Sequence, residues 1–244
     1  LTRAAVASVL SEPDVHEVVI VDNSSGDGSA DLLRQAFDDT RVRLVESSTN
    51  LGFGRGVNLG VEHSTAPLSL ILNSDTTLTP GSLGVLIETL LSDDSVGVVA
   101  PAVYGPDGRT PQWGAFGALP NRVQIILGRW PPASGRAPLG WVSGVAMLLR
   151  RPQFVSIGGF DADFDMYFED IDLCRRLGEF GKDVRRQTAA SVVHGIGMSW
   201  GSKSEQVRKF HQSKLVYLEK VGATRLELRS ARLIAWARAS TGRR

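Results

Sequence analysis

The stretch FDMYFEDIDLCRRLGEFG, residues 164 to 181, sets four carboxylates (Asp165, Glu169, Asp170 and Asp172) among aromatic residues where a helical pattern begins. A helix N-terminus tolerates acids because its free N–H groups and dipole stabilise negative charge, so the plainer reading is a capped surface helix. The chemical reading is that one of these acids is a general base. Choosing between the two requires the other groups that could share a site with them.

Three further clusters qualify. LILNSDTTL ends an apolar run with Asn73 and Asp75 two residues apart, which in an extended chain puts both side chains on one side. A carboxylate there can hold a hard divalent cation and bridge it to phosphate oxygens, whereas Asn, Ser and Asp together also read as an ordinary turn. VVIVDNSSGDGS places Asp22 directly after an apolar run, where an acid can accept hydrogen bonds from a ribose or a base, or simply shape a turn ahead of a helix capped by Asp27 or Ser29. NLGFGRGVNLG, residues 50 to 60, has too loose a glycine spacing to be a phosphate loop by itself, but Asn50, Arg55 and Asn58 are candidate base or phosphate contacts. His194 follows a β-rich run; it reads as a packed residue or as a further ligand to a carboxylate-bound metal. The Gly/Ser-rich loop behind it reads as a connector or as a lid carrying Trp200.

The elements that must position these groups alternate. Short β-branched runs (17–22, 41–47, 68–75, 96–101) are separated by helical patterns (29–37, 54–64, 80–93), which predicts an α/β open sheet, mostly parallel, with helices on both faces. Ligands of such sheets bind beyond the carboxyl ends of the strands, and Asp22 and Asn73-Ser74-Asp75 stand at those ends. A hairpin turn is predicted at YGPDGR (104–109), then a long loop to Gly140, a strand over 141–150, a helix from about Glu169 to Phe180, a strand ending at SVVHG and two helices. Residues 2 to 11 already read as a helix. Either the chain begins after an opening strand or the sheet is one strand short.

Composition narrows the classes. With 27 basic and 26 acidic residues, no global field points to nucleic acid. The single cysteine, Cys174, excludes an internal disulfide and sits in a helical pattern as a core thiol, which fits a reducing compartment. No apolar run approaches the roughly 20 residues that span a bilayer, and no signal peptide pattern opens the chain, so a cytoplasmic location is expected.

In order and spacing, VDNSSGDGS, NLGFGRGVNLG, LNSDTTL, GWVSGVAMLLRR, GGFDADFDMYFEDIDLCRRLGEFG and SVVHG resemble the family 2 inverting glycosyltransferases. The resemblance spans residues 1 to about 220 and is strongest to bacterial rhamnosyltransferases of cell-wall and O-antigen assembly. It implies a Rossmann-like nucleotide-diphospho-sugar transferase fold of the A type, with a nucleotide-sugar-binding half over 1–105 and an acceptor-binding half over 106–221. It also implies a metal-dependent transfer of a sugar, rhamnose from dTDP-rhamnose, to a lipid-linked or saccharide acceptor.

Residue by residue, the resemblance makes Asp170 the catalytic base and Asp22 the contact to the nucleoside. Asp75 becomes the chief ligand of Mg²⁺ or Mn²⁺, with Asn73 where the family usually has an acid and His194 as a second ligand. Trp141, Gly144 and Glu169 fall on the acceptor side. Asp172 is expected to pair with Arg175 or Arg176 on the helix surface. The family's opening strand, with a Thr-Tyr-Asn-like segment, has no counterpart here.

Residues 222 to 244 carry six arginines against one glutamate. This basic helical tail suits either packing on the catalytic domain or peripheral contact with an anionic membrane at its inner face. Two other functions stay open at this point. One is a sugar nucleotidyltransferase, which should show a Gly/Arg/Lys-rich phosphate loop that is not seen. The other is a non-catalytic nucleotide-sugar-binding module, against which Asp170 argues.

Overall fold

Runs such as Val-Val-Ile-Val favour extended backbone, and the amphipathic stretches between them favour helices that cover the strands they connect. The computed structural model describes residues 1–133, 139–195 and 202–239 of the chain. In chain order its elements are α1 (Thr2–Leu10), β1 (Val18–Asp22), α2 (Ser29–Ala36), β2 (Val42–Glu46), α3 (Phe53–Glu62), β3 (Leu68–Leu72), β4 (Thr76–Leu78), α4 (Ser82–Leu91) and β5 (Val96–Tyr104). There follow β6 (Phe116–Gly117), α5 (Arg122–Leu127), β7 (Trp141–Val142), β8 (Ala146–Arg150), α6 (Arg151–Ser156), α7 (Glu169–Glu179), β9 (Asp183–His194), α8 (Lys203–Lys220) and α9 (Arg225–Ala239).

The main sheet has five strands in the order β3-β8-β5-β9-β4, and it is mixed rather than mostly parallel. β5 and β9 pair in parallel, while β8 runs antiparallel to both β3 and β5, and β4 runs antiparallel to β9. β1 and β2 form a separate parallel pair. Among the described residues, no strand pairs with the second edge of β1 or of β3. Both edges instead line one cavity of about 1820 Å³, with Ala5 and Val6 of α1 and Gly56 and Val57 of α3 also in its walls. Every residue of β1 is left only half-buried in consequence. Among the described residues the β1-β2 pair and the five-stranded sheet are thus separate.

β5 is buried along nearly its whole length and feeds two cores. Val98 and Ala100 join Phe154, Phe160, Phe164, Phe168, Ile171 and Leu173, whereas Val96, Val99 and Val103 join Leu83, Leu86 and Leu90 of α4. Two stretches depart from the sequence expectation. The segment from 110 to Gly140 is no long loop, since it holds β6 and α5, the latter started by a reciprocal capping box between Asn121 and Gln124. The expected 141–150 strand breaks at Ser143–Val145 into β7 and β8, which belong to different sheets.

Cys174 is buried as expected, and burial pushes its thiol up to about 12, which makes it inert. Asp172 is not on the helix surface. It is fully buried, and Arg175 and Arg176 close on it at 2.9 and 2.7 Å. Arg176 also donates to the carbonyls of Ile157 at 2.8 Å and Gly159 at 2.7 Å, so it ties α7 to the loop before it. α9 packs its inner residues Leu228, Ala231 and Ile234 on the first core. Its outer residues Leu226, Leu233 and Trp236 remain exposed.

A buried charge that loses a partner is costly. Arg176→Met should therefore lower the unfolding free energy by about 3 kcal/mol, read from urea denaturation, even though Arg175 remains. A loss below about 0.5 kcal/mol, the scale of ordinary surface substitutions, would show that α7 is held by something else.

Candidate active site

The cavity runs from the divided sheet to the strand ends and the first turn of α7, where Asp22, Asn50, Asn73, Asp75, Trp141, Gly144, Glu169, Asp170 and His194 all line it. Arg55 and Asn58 do not. Arg55 is exposed and donates back to the carbonyl of Leu51 at 2.6 Å. Asn58 spends both ends of its amide on Phe160, donating to its carbonyl at 2.8 Å and accepting from its N–H at 2.9 Å. In this structure Asn58 is a clamp between α3 and the loop that leads to the acidic helix.

That loop delivers the acids through an unusual backbone. Tyr167 and Phe168 both have φ of 69°, a left-handed conformation that costs non-glycine residues roughly 1–2 kcal/mol each. Aromatic packing offsets the cost, since the Phe168 ring lies 5.4 to 5.7 Å from Phe210, Tyr217 and Trp130. The two residues turn the chain so that Glu169 and Asp170 open α7 at the cavity wall.

Asp170 accepts from the Ile171 N–H at 2.8 Å with one oxygen and from the Gly144 N–H at 3.2 Å with the other, while keeping part of its surface open. A Cβ at 144 would stand 2.9 Å from the Phe53 ring, so a larger residue there would need that ring to move. Glu169 is buried, and its Oε2 has no hydrogen-bond partner.

Burial, with the Asp170 charge next to it and Asp165 further off, holds the Glu169 carboxyl well above the usual carboxylate range. Burial also raises Asp170, against which the N–H groups of Gly144 and Ile171 pull it down. Both carboxyls are therefore raised, Glu169 the further of the two.

At the strand ends, the extended continuation expected for 73–75 is replaced by a turn, closed by the Thr76 N–H donating to the Asn73 carbonyl at 3.0 Å. β4 then pairs with β9 so that Thr76 faces His194. This brings His194 Nε2 to 3.2 Å from Asp75 Oδ1, with both side chains buried. Among the described residues no three His, Cys, Asp or Glu side chains gather to hold a metal. The donor set nonetheless fits a divalent cation, because Asn73 Oδ1 is a buried oxygen with no partner on the same turn as the Asp75 carboxylate.

Asp22 accepts from the N–H of Ser25 at 3.3 Å and from its hydroxyl, so it shapes the turn after β1 and also faces the cavity. Two residues were not singled out in the sequence. Asn23 accepts from the Leu51 N–H at 2.7 Å and donates to the Gly52 carbonyl at 2.9 Å, which docks the 50–52 loop against β1. Gln112 contacts His194. An Asn beside Asp22 was a visible signal for the first; nothing local marked the second. Trp200 lies outside the described residues.

An α/β sheet with polar strand ends and an acidic helix facing one cavity fits the A-type nucleotide-sugar transferases. The fold matches solved members of that class. GalNAc-T7 with UDP, GalNAc and Mn²⁺ superposes with a TM-score of 0.69 at 13% identity, over 86% of this chain and 44% of that one. The mannosyltransferase PcManGT from Pyrobaculum calidifontis, in complex with GDP-Man and Mn²⁺, gives 0.64 at 16% identity over 97% and 68%.

Residues 1–152 match the model of glycosyl transferase family 2, and the chain belongs to that family. It is a glycosyltransferase. Similar sequences include the N-acetylglucosaminyl-diphospho-decaprenol L-rhamnosyltransferase of Mycobacterium tuberculosis, 27% identical over 82% of this chain and 74% of that protein. The succinoglycan biosynthesis protein ExoU of Rhizobium meliloti is 28% identical over 86% and 63%.

The Glu169 carboxyl allows a sign-specific expectation. A carboxyl whose pKa is raised by folding contributes stability below its unfolded value and loses it as pH rises through the folded value. Glu169→Gln removes that loss, so its melting temperature relative to the parent should rise between pH 4 and pH 8. A difference that stays flat over this range would place the Glu169 carboxyl in an ordinary, hydrated environment.

Proposed function

We propose that this chain is a metal-dependent inverting glycosyltransferase that moves rhamnose from dTDP-rhamnose to a lipid-linked saccharide acceptor in cell-envelope assembly. The observation that carries the reading is the Asp170 carboxyl, held by two backbone N–H groups on the cavity that also contains Asp75 and His194. The name of the mycobacterial relative supports the sugar and the kind of acceptor.

In this reaction Asp170 accepts the proton of the acceptor hydroxyl as that oxygen bonds to the anomeric carbon, opposite the diphosphate, whose bond to the same carbon breaks. Glu169 and Trp141, whose buried Oε2 and Nε1 have no hydrogen-bond partner, would face the acceptor sugar. Asn73, Asp75 and His194 are the residues that would hold Mg²⁺ or Mn²⁺. Such a cation supplies charge neutralisation to the departing nucleoside diphosphate. Asp22 and Asn50 would bind the nucleoside end.

A lipid-linked acceptor calls for work at a membrane surface, which we place at the cytoplasmic face. No helix among the described residues is long and apolar enough to cross a bilayer. Contact would fall to the outer face of α9, where Leu226, Leu233 and Trp236 are exposed beside Arg225, Arg229 and Arg232. Removing residues 222–244 should weaken cosedimentation with anionic vesicles at low salt. Equal binding by the shortened chain would remove the membrane role.

The catalytic assignment has its own test. Asp170→Asn should lower transfer at saturating donor by roughly 10²-fold or more while donor affinity, read by calorimetry, stays within a few-fold. Near-normal turnover would move the base elsewhere.

A further inference from the structure

We propose that Trp113 is the stacking platform for the acceptor sugar. The proposal deepens the reading of this cavity as the place of sugar transfer and rests on it. Trp113 is 82% exposed, yet it lines the same cavity as Asp75, His194 and Asp170. An indole left in water buries little apolar area, so it contributes little to holding the fold.

Its backbone, by contrast, is fixed on both sides. Upstream, the Gly105 N–H donates to the Thr110 carbonyl at 2.8 Å and the Gln112 N–H to the Val103 carbonyl at 2.9 Å, which closes a hairpin on β5. The Gln112 side chain lies 2.7 Å from the His194 ring. Downstream, Ala115 is buried and accepts from the Ser143 N–H at 2.8 Å, one residue before the Gly144 N–H that bonds Asp170. Between these anchors Gly114 has φ of 75°, a left-handed conformation that glycine adopts without strain. Trp113 is thus tied to the Asp75–His194 end of the cavity on one side and to the Asp170 end on the other.

The chemistry of the walls selects what the ring meets. Trp141 Nε1 and Glu169 Oε2 line the same cavity, buried and, among the described residues, without hydrogen-bond partners. A pyranose suits such a lining, because its rim carries hydroxyls and its faces carry C–H bonds. Those C–H bonds are attracted to the negative face of an indole, while the hydroxyls meet the unmatched polar atoms. A lipid chain would leave the same atoms unmatched, at a cost. Depth then distinguishes the two sugars. Asp75 and His194 are buried at the floor, where the donor belongs, whereas a ring as exposed as Trp113 stands at the mouth, where the acceptor enters.

The test uses Trp113→Ala and Trp113→Phe, with transfer from dTDP-rhamnose to octyl β-N-acetylglucosaminide as a soluble probe acceptor and dTDP affinity read by calorimetry with Mn²⁺. Trp113→Ala should raise KM for the probe about 10-fold, with kcat, dTDP affinity and melting temperature unchanged. Trp113→Phe, which keeps a ring, should recover most of the loss. A merely structural role would instead lower kcat and melting temperature together.

An unchanged KM in Trp113→Ala, or a loss of dTDP affinity that matches the rise in KM, would overturn the proposal. The rhamnose reading fails in a different way. If the parent does not use dTDP-rhamnose, the indole N–H signal of Trp113, assigned by its absence in Trp113→Phe, is followed by ¹⁵N NMR during titration with octyl glycosides of N-acetylglucosamine, rhamnose and galactose. A shift of that signal leaves the platform standing with another donor, and no shift with any of these glycosides overturns it.

Discussion

Asp172 lies out of reach of solvent, and a carboxylate in that position is tolerated only when its charge and lone pairs are matched. Arg175 and Arg176 match it, and Arg176 extends the same network to the carbonyls of Ile157 and Gly159. The first turn of α7 is therefore pinned to the segment that precedes it, and Asn58 pins that segment to α3 through Phe160. Glu169 and Asp170 sit on this turn. Their position is set by a buried ion pair one step further along the helix, and the strained Tyr167-Phe168 backbone is affordable because both of its ends are held.

Four acids at one helix start would repel one another if all were charged and unpaired. The structure separates them by environment. Asp172 is neutralised by two arginines, Asp165 pairs with Lys209 at 2.9 Å, Glu169 is buried with its carboxyl raised well above the usual range, and Asp170 is held at the cavity wall by two N–H groups with part of its surface open. One sequence motif thus leaves one carboxyl both anchored and accessible at the cavity, which a general base requires.

The parts of this arrangement legible in the sequence are those encoded locally. VVIVD and LSLIL read as strands because their apolar runs are continuous, and the polar residues after them fall at the cavity for the same reason. The i+3 and i+4 spacing announced the Asp172 pairs, but their burial depends on carbonyls of another segment, which no spacing reveals. Asn58 is the same kind of case, since its partner is 102 residues away. At the break of 141–150 into two strands, Ser143, Gly144 and Val145 bond to Ala115, Asp170 and Asn73, partners remote in sequence that no local pattern reveals. The capping box at Asn121 and Gln124 was readable and marks the start of α5 inside what the Pro/Gly-rich composition presented as loop.

The account's central claim is that one cavity presents a cation-holding end at Asp75 and His194 and a proton-accepting end at Asp170, on opposite sides of the sugar carbon. A crystal of the protein with Mn²⁺ and an unreactive nucleotide-sugar analogue, measured at the manganese absorption edge, reads both ends at once. The predicted result is an anomalous peak in coordination with Asp75 and His194, with the Asp170 carboxylate facing the anomeric carbon from the side opposite the diphosphate. A peak remote from both residues, or Asp170 on the same side as the diphosphate, would contradict the account.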